Sequence, residues 1–192
     1  MAGYLMITKW DKRFLDLAKF VSTFSKDPST QVGSVITRPD KTVASLGFNG
    51  FPRGIEDKPE WLNNREEKYK RVIHGEMNAI LNAREPLHGY TIYVYPGPIS
   101  CDRCTVHIIQ AGIKRLVGSY ADPVHAERWA ASMELSKELY KEAGIRVDIE
   151  DFEVTEVFDP IISETLDTPE SFWEKHWREF NDEFWGTKYG RR

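Results

Sequence analysis

Cysteine is nearly absent, with two residues in 192, Cys101 and Cys104. That excludes a disulfide framework, and the C-x-x-C spacing leaves a metal site or a redox pair. Long apolar runs are also missing. No stretch approaches the roughly 18 uncharged residues of a membrane span, and MAGYLMITKWDKRF breaks into charge too early for a secretory core, so a cytoplasmic location is expected. Nor is there an excess of base: 26 Lys and Arg stand against 30 Asp and Glu, net −4, without the basic footprint of a nucleic-acid binder. The acidity is concentrated in residues 151–192, which hold 11 acids and 5 bases, whereas residues 1–150 hold 19 acids and 21 bases. What is present suits a folded protein. Hydrophobic residues make up 41% and charged residues 29%, near the globular averages of roughly 45% and 25%. The length fits one domain of ordinary size with a decorated end.

From Trp10 to Phe24 the apolar positions Phe14, Leu17, Ala18, Val21 and Phe24 recur at helical spacing. Val32–Thr37 and Thr42–Phe48 are β-rich runs joined by Arg38-Pro39-Asp40-Lys41, which predicts an antiparallel hairpin. A long loop follows, opening on Asn49-Gly50-Phe51-Pro52-Arg53-Gly54 and passing through polar and then charged helical sequence to His74. Loops of that length in compact domains are usually functional or disordered. Gly75–Ala83, Cys104–Gln110 and Pro123–Ala143 read as helices, alternating with strands at Thr91–Tyr95, Ile113–Val117 and Ile145–Ile149. Strands joined by crossover helices pair in parallel, so a three-layer α/β/α fold with a mixed sheet of about five strands is expected, the hairpin forming its antiparallel edge. Residues 1–150 would form this domain. Residues 151–192 would form an acidic extension, whose helix from Thr168-Pro169 carries Trp173, Trp177, Phe180 and Phe184 in one stripe, suited to docking on the chain's own domain or a sister subunit.

Two short motifs carry chemistry. His74-Gly75-Glu76 and Cys101-Asp102-Arg103-Cys104 each fall at the start of a predicted helix. One imidazole and two thiolates give zinc three ligands and leave a fourth tetrahedral position open, the pattern of a catalytic rather than a structural site. The helix N-terminus favours the thiolate forms. Zinc lowers the pKa of bound water toward ~7, and Glu76, beside a ligand but not itself one, is placed to move that proton. Taken alone, C-x-x-C fits a redox pair or half a zinc ribbon, His74 a packed histidine, and Glu76 a solvated helix residue. Together they point to zinc catalysis. His88, His107, His125 and His176 fit no such arrangement. H-x-E with P-C-x-x-C is the signature of zinc nucleobase deaminases, and Ser100 stands here in place of its proline.

With FSKDPSTQVGSVI, GFNGFPRG, VIHGEMNAI, TIYVYPGPISCDRC and IIQAGIKRLV, the chain resembles the deoxycytidylate (dCMP) deaminase family of the cytidine deaminase superfamily, from about Trp10 to Val147. The resemblance implies hydrolysis of dCMP to dUMP and ammonia, supplying the precursor of thymidylate. It implies a single zinc per subunit on His74, Cys101 and Cys104, with Glu76 as proton shuttle. It places base recognition at the backbone of Gly75, where the family usually has alanine, and the sugar hydroxyl at Asn49. Ser25 and Lys26 become candidates for the 5′-phosphate and Tyr120 for closing the pocket. It further implies activation by dCTP and inhibition by dTTP through Gly50, Arg53 and Gly54, Mg2+ accompanying a bound effector triphosphate, and a homo-oligomer, a hexamer first. Ser100 would reshape the wall near cytosine C5, which opens a preference for 5-methyl- or 5-hydroxymethyl-dCMP. A polynucleotide or tRNA deaminase of the same chemistry is opposed by the acidic balance, and a non-catalytic nucleotide sensor by Glu76.

Overall fold

The computed structural model describes residues 7–119 and 123–150, with side chains in the last helix described from Arg128 onward. Tyr120 and the extension 151–192, with its aromatic stripe, lie outside the described residues. The chain begins with α1 (Lys9–Ser22), whose start is fixed by a capping box in which the Thr8 hydroxyl and the Asp11 carboxylate exchange hydrogen bonds with each other's backbone. The hairpin follows as β1 (Gly33–Thr37) and β2 (Val43–Phe48). The long segment after β2 contains two short helices, α2 (Pro59–Leu62) and α3 (Arg65–Arg71), the second being the charged helical stretch expected before His74 and capped by the Asn64 side chain. Then come α4 (Gly75–Asn82), β3 (Thr91–Tyr95), α5 (Asp102–Gln110), β4 (Arg115–Gly118), α6 (Pro123–Ala143) and β5 (Arg146–Ile149).

The five strands form one sheet in the order β2-β1-β3-β4-β5. β1 runs antiparallel to β2 and β3, and β3, β4 and β5 are parallel. This is the expected α/β architecture with a mixed sheet. Boundaries move where local bonds intervene. Val32 stays outside β1 because its N–H is given to the Asn49 side chain, and β4 starts late because Ile113 still bonds back to Ile108.

Alternation along the strands sorts the helices onto the two faces. Val35, Tyr93 and Val117 project onto Phe14, Leu15 and Ala18 of α1. The opposite face takes α4, where the Ser45 hydroxyl donates to the Ala79 carbonyl at 2.6 Å. Two glycines permit close approach there. A Cβ on Gly47 would lie 2.2 Å from the Ala79 nitrogen, and one on Gly118 would lie 2.0 Å from the Pro98 carbonyl. The first lets α4 sit on β2, and the second lets the segment leading to Cys101 cross β4. Both halves of the chemical site are thus seated on the sheet through contacts with no room for a side chain. Ile36, Ile92, Val94, Ile108, Leu116 and Val147 are fully buried around them, each worth about 1.5–3 kcal/mol relative to exposure. No helix among the described residues is long and apolar enough to cross a membrane.

Candidate active site

The two motifs converge at the ends of two helices. His74 is the N-cap of α4 and Cys101 the N-cap of α5. Neither side chain caps its own helix, so the imidazole and the thiol remain available to each other. His74 Nδ1 lies 3.3 Å from Cys101 Sγ and 3.5 Å from Cys104 Sγ. All three donor atoms lie within 4.8 Å of one another, the span expected of ligands sharing one tetrahedral ion. Soft thiolates with imidazole are a zinc donor set. Glu76 stands in the first turn of α4, 4% exposed, and its Oε2 is buried without a hydrogen-bond partner among the described residues. A buried unpaired carboxylate oxygen beside a three-ligand centre is what a group that handles protons there would require.

Proton affinities in this cluster are strongly displaced. The hydrogen bond to Cys101 raises His74 to about 9, against the opposing effect of burial. The hydrogen bond from Cys104 holds Cys101 down to about 4, helped by the neighbouring imidazolium. Cys104 is pushed up by its bond to Cys101, by burial and by the Glu76 charge. Burial raises Glu76, and the Cys101 thiolate adds to it. Thiolate and neutral imidazole are the liganding forms, so zinc binding by these residues is coupled to proton release.

A cleft opens onto this centre. His74, Glu76 and Cys101 line one part of it, Val32, Pro98 and Ile99 supply apolar wall, and Trp129 and Met133 enter from α6. The Trp129 ring meets His74 edge-on at 6.2 Å. Arg65, Lys68 and Arg128 also line the cleft. Lys68 is held by Asp27 at 2.8 Å, whereas Arg65, set over Tyr69, and Arg128 have no carboxylate partner among the described residues. Sequence reasoning missed these cations and Trp129. The arginines lie on exposed helix positions that no motif marks.

The expected substrate residues are not all brought together. Asn49 is, and Gly75 lies between the cleft residues His74 and Glu76 without lining the cleft itself. Asn49 lines the cleft, its amide donating to the Thr30 carbonyl at 2.9 Å and its Oδ1 accepting from Val32 at 2.7 Å. Gly75 opens α4, where an added Cβ would meet Val32 at 3.1 Å. Alanine fits there only if Val32 gives way slightly. Ser25 is buried with its hydroxyl donated to the Asn49 carbonyl at 2.8 Å, and Lys26 is paired with Asp57 at 2.7 Å. Neither lines the cleft. Lys26 and Gly50 instead border a second hollow beside Phe24 and Phe51. Arg53 reaches Asn82 at 2.7 Å, and Gly54 turns at φ 86° in open space. Neither of these borders that hollow. Ser100, expected to shape the wall near the base, does not line the cleft; it is 1% exposed and bonded to Tyr140 and Thr105.

A family model of the cytidine and deoxycytidylate deaminase zinc-binding region matches residues 8–120. The chain belongs to this family. Among relatives, an uncharacterized deaminase in the luxG 3′ region of Aliivibrio fischeri is 42% identical over 142 residues, covering 74% of this chain and 94% of its own. The deoxycytidylate deaminase of Mus musculus is 34% identical over 143 residues, covering 71% and 77%. The fold is that of the dCMP deaminase of cyanophage S-TIM5, whose crystal structure with dCMP and dUMP superposes with a TM-score of 0.59 at 20% identity, over 75% of this chain and 98% of that one. As a member of the family, the protein performs zinc-dependent deamination of the cytidine or deoxycytidylate type, with His74, Cys101 and Cys104 fitted to hold the ion.

Proposed function

We propose that this deaminase hydrolyses dCMP to dUMP and ammonia. The observation that carries the reading is one cleft that joins His74, Cys101 and Glu76 to Arg65 and Arg128, two cations without carboxylate partners among the described residues. A cytosine base fits between Val32 and the Pro98–Ile99 wall, with the backbone of Gly75 at its edge. Asn49, whose amide donates to the Thr30 carbonyl and, at 3.4 Å, to the Asp27 carboxylate, offers its remaining Oδ1 acceptor site to a sugar hydroxyl. Arg65 and Arg128 take the 5′-phosphate in place of Ser25 and Lys26, because planar guanidinium forks match phosphate oxygens. Zinc, when bound, supplies the Lewis acid that activates water at neutral pH. Glu76 takes a proton from the attacking water, delivers it to N3 as the C4–O bond forms, and transfers the second proton to the leaving amine as C4–N breaks. Its burial suits this cycle, since a raised proton affinity lets the carboxyl group hold the proton between transfers. The named activity of the mouse relative supports the same substrate.

The same reading extends to control by dCTP and dTTP, with Mg2+ on a triphosphate effector, through the segment containing Gly50, Arg53 and Gly54, and to assembly as a hexamer. The second hollow beside Gly50 lies next to that segment. Light scattering on the purified protein, with and without dCTP, tests assembly directly.

Ammonia release from dCMP, 5-methyl-dCMP, 5-hydroxymethyl-dCMP, deoxycytidine, CMP and dCTP tests the substrate. Turnover confined to deoxymonophosphates is expected, with Arg128→Ala and Arg65→Ala each raising KM for dCMP. Equal turnover of deoxycytidine and dCMP by the unmodified protein would discard the phosphate contacts and the substrate with them.

A further inference from the structure

The buried face of α6 carries hydroxyl groups where aliphatic side chains would ordinarily pack. Ser100, Thr105, Ser136 and Tyr140 are all at most 1% exposed, and they form one chain of hydrogen bonds. Tyr140 lies 2.7 Å from Ser100, Ser100 2.8 Å from Thr105, and Thr105 3.0 Å from Ser136, which donates to the Ser132 carbonyl at 2.9 Å. Proton counting fixes the direction. Ser136 spends its one proton on the carbonyl and Thr105 spends its own on Ser136, so Ser100 donates to Thr105 and Tyr140 donates to Ser100. Every hydroxyl gives once, and none among the four is left unpaired. One turn away, Ser132 donates to the Asp102 carboxylate at 2.6 Å and accepts from the Asp102 backbone at 3.0 Å.

These contacts bracket the metal ligands. Ser100 precedes Cys101, Asp102 follows it, and Thr105 follows Cys104. The third ligand meets the same helix through the edge-on contact of Trp129 with His74. Trp129, Ser132, Ser136 and Tyr140 fall at i, i+3, i+7 and i+11, a single stripe of α6. An apolar stripe would tolerate rotation or sliding of α6 over α5, whereas a directional chain of hydroxyls is satisfied in one register only. We propose that Tyr140, Ser100, Thr105 and Ser136 are positioning residues, a buried relay through which α6 sets the placement of the two cysteines against His74. Ser100 has this role because it carries a hydroxyl where the deaminase signature has proline. The inference rests on the zinc centre and not on the choice of dCMP.

The test compares Tyr140→Phe and Thr105→Val, which each delete one hydroxyl, with Thr105→Ser, which keeps it. The zinc-loaded proteins are challenged with excess chromogenic chelator, the cobalt-substituted proteins are compared by visible spectrum, and thermal unfolding is recorded beside both. The two deletions should weaken zinc retention by about 10- to 100-fold and shift the cobalt bands, while Thr105→Ser restores both properties. Unchanged zinc retention and unchanged cobalt bands in the two deletions would overturn the proposal, even with a lowered unfolding temperature, because a merely structural relay would produce that result. If Thr105→Val does not fold, Ser136→Ala breaks the next link and is read in the same way. No substrate is used, so the outcome stands apart from the deoxycytidylate assignment.

Discussion

Lys68→Met should destabilise the protein by about 3 kcal/mol while also loosening the cleft. The Lys68 ammonium is one end of a buried ion pair, with side-chain exposures of 6% for Lys68 and 9% for Asp27. It also donates to the Ser29 hydroxyl at 3.0 Å. Removing one partner of a buried pair leaves the other charge uncompensated, which costs about 3–5 kcal/mol. Asp27 would not be wholly stranded, because its carboxylate still accepts from the backbones of Ser29 at 2.7 Å and Thr30 at 3.2 Å. The lower end of the range therefore applies. At about 2–4 °C per kcal/mol for a chain of this size, the melting midpoint should fall by roughly 6–12 °C. The double variant Asp27→Asn with Lys68→Met removes both charges together and should recover part of the loss, so a double-mutant cycle isolates the pair. Urea denaturation at fixed zinc concentration is the assay. A loss under about 1 kcal/mol in the single variant, or no recovery in the double one, would refute the reasoning. Since Lys68, on α3, and Asp27 both line the cleft, KM for the substrate should rise in the same variant.

Further outcomes follow from the site and the core. Glu76→Gln should keep its zinc, measured by metal analysis, and lose about 100- to 10,000-fold in kcat, the usual contribution of a positioned proton carrier. Dialysis against a strong chelator should abolish turnover and added zinc should restore it; turnover that survives complete zinc removal would contradict the assigned centre. Asp11 is opposed by burial, but hydrogen bonds from Arg115, Thr8 and Tyr93 outweigh burial and hold its carboxyl well below the ordinary range. Its stabilisation is therefore present above the pKa of the unfolded chain and is lost as pH falls toward the folded value. The acid limb of a stability–pH curve should be shallower in Asp11→Asn by up to about 1.4 kcal/mol per pH unit.

The meeting of His74, Cys101 and Cys104 beside Glu76 was readable from sequence because each motif stands at the start of a helix, where spacing along the chain translates directly into spacing in space. The sheet was readable for a similar reason, its strands being short β-rich runs cut by turn residues. The lining of the cleft was less legible. Ser25 and Lys26 look like a phosphate site in the linear motif, yet the turn at Asp27 directs Ser25 inward to Asn49 and Lys26 outward to Asp57. Arg65 and Arg128 come from segments far apart in sequence, and only the packing of the α3 segment and α6 brings them to one cleft. Ser100 was marked as a departure from proline, but its direction depends on Tyr140, 40 positions later. The signal available was the run of Ser132, Ser136 and Tyr140 at helical spacing on a face that should have been aliphatic.

The excursion between β2 and α4 returns to its starting point. Gly50 and Ile73 exchange backbone hydrogen bonds at 3.0 and 2.9 Å, clasping the chain immediately before His74. The segment between them starts and ends at that clasp, and Lys68–Asp27, Lys26–Asp57 and Arg53–Asn82 tie it to the rest of the domain. Lengthening such a segment twofold adds only about 0.6 kcal/mol of closure entropy, and the zinc ligand next to the clasp need not move. The segment that supplies Arg65 and Lys68 to the cleft can therefore vary in length at little closure cost as long as Asp27 keeps a cationic partner, while His74 and Glu76 after the clasp keep their place on the sheet.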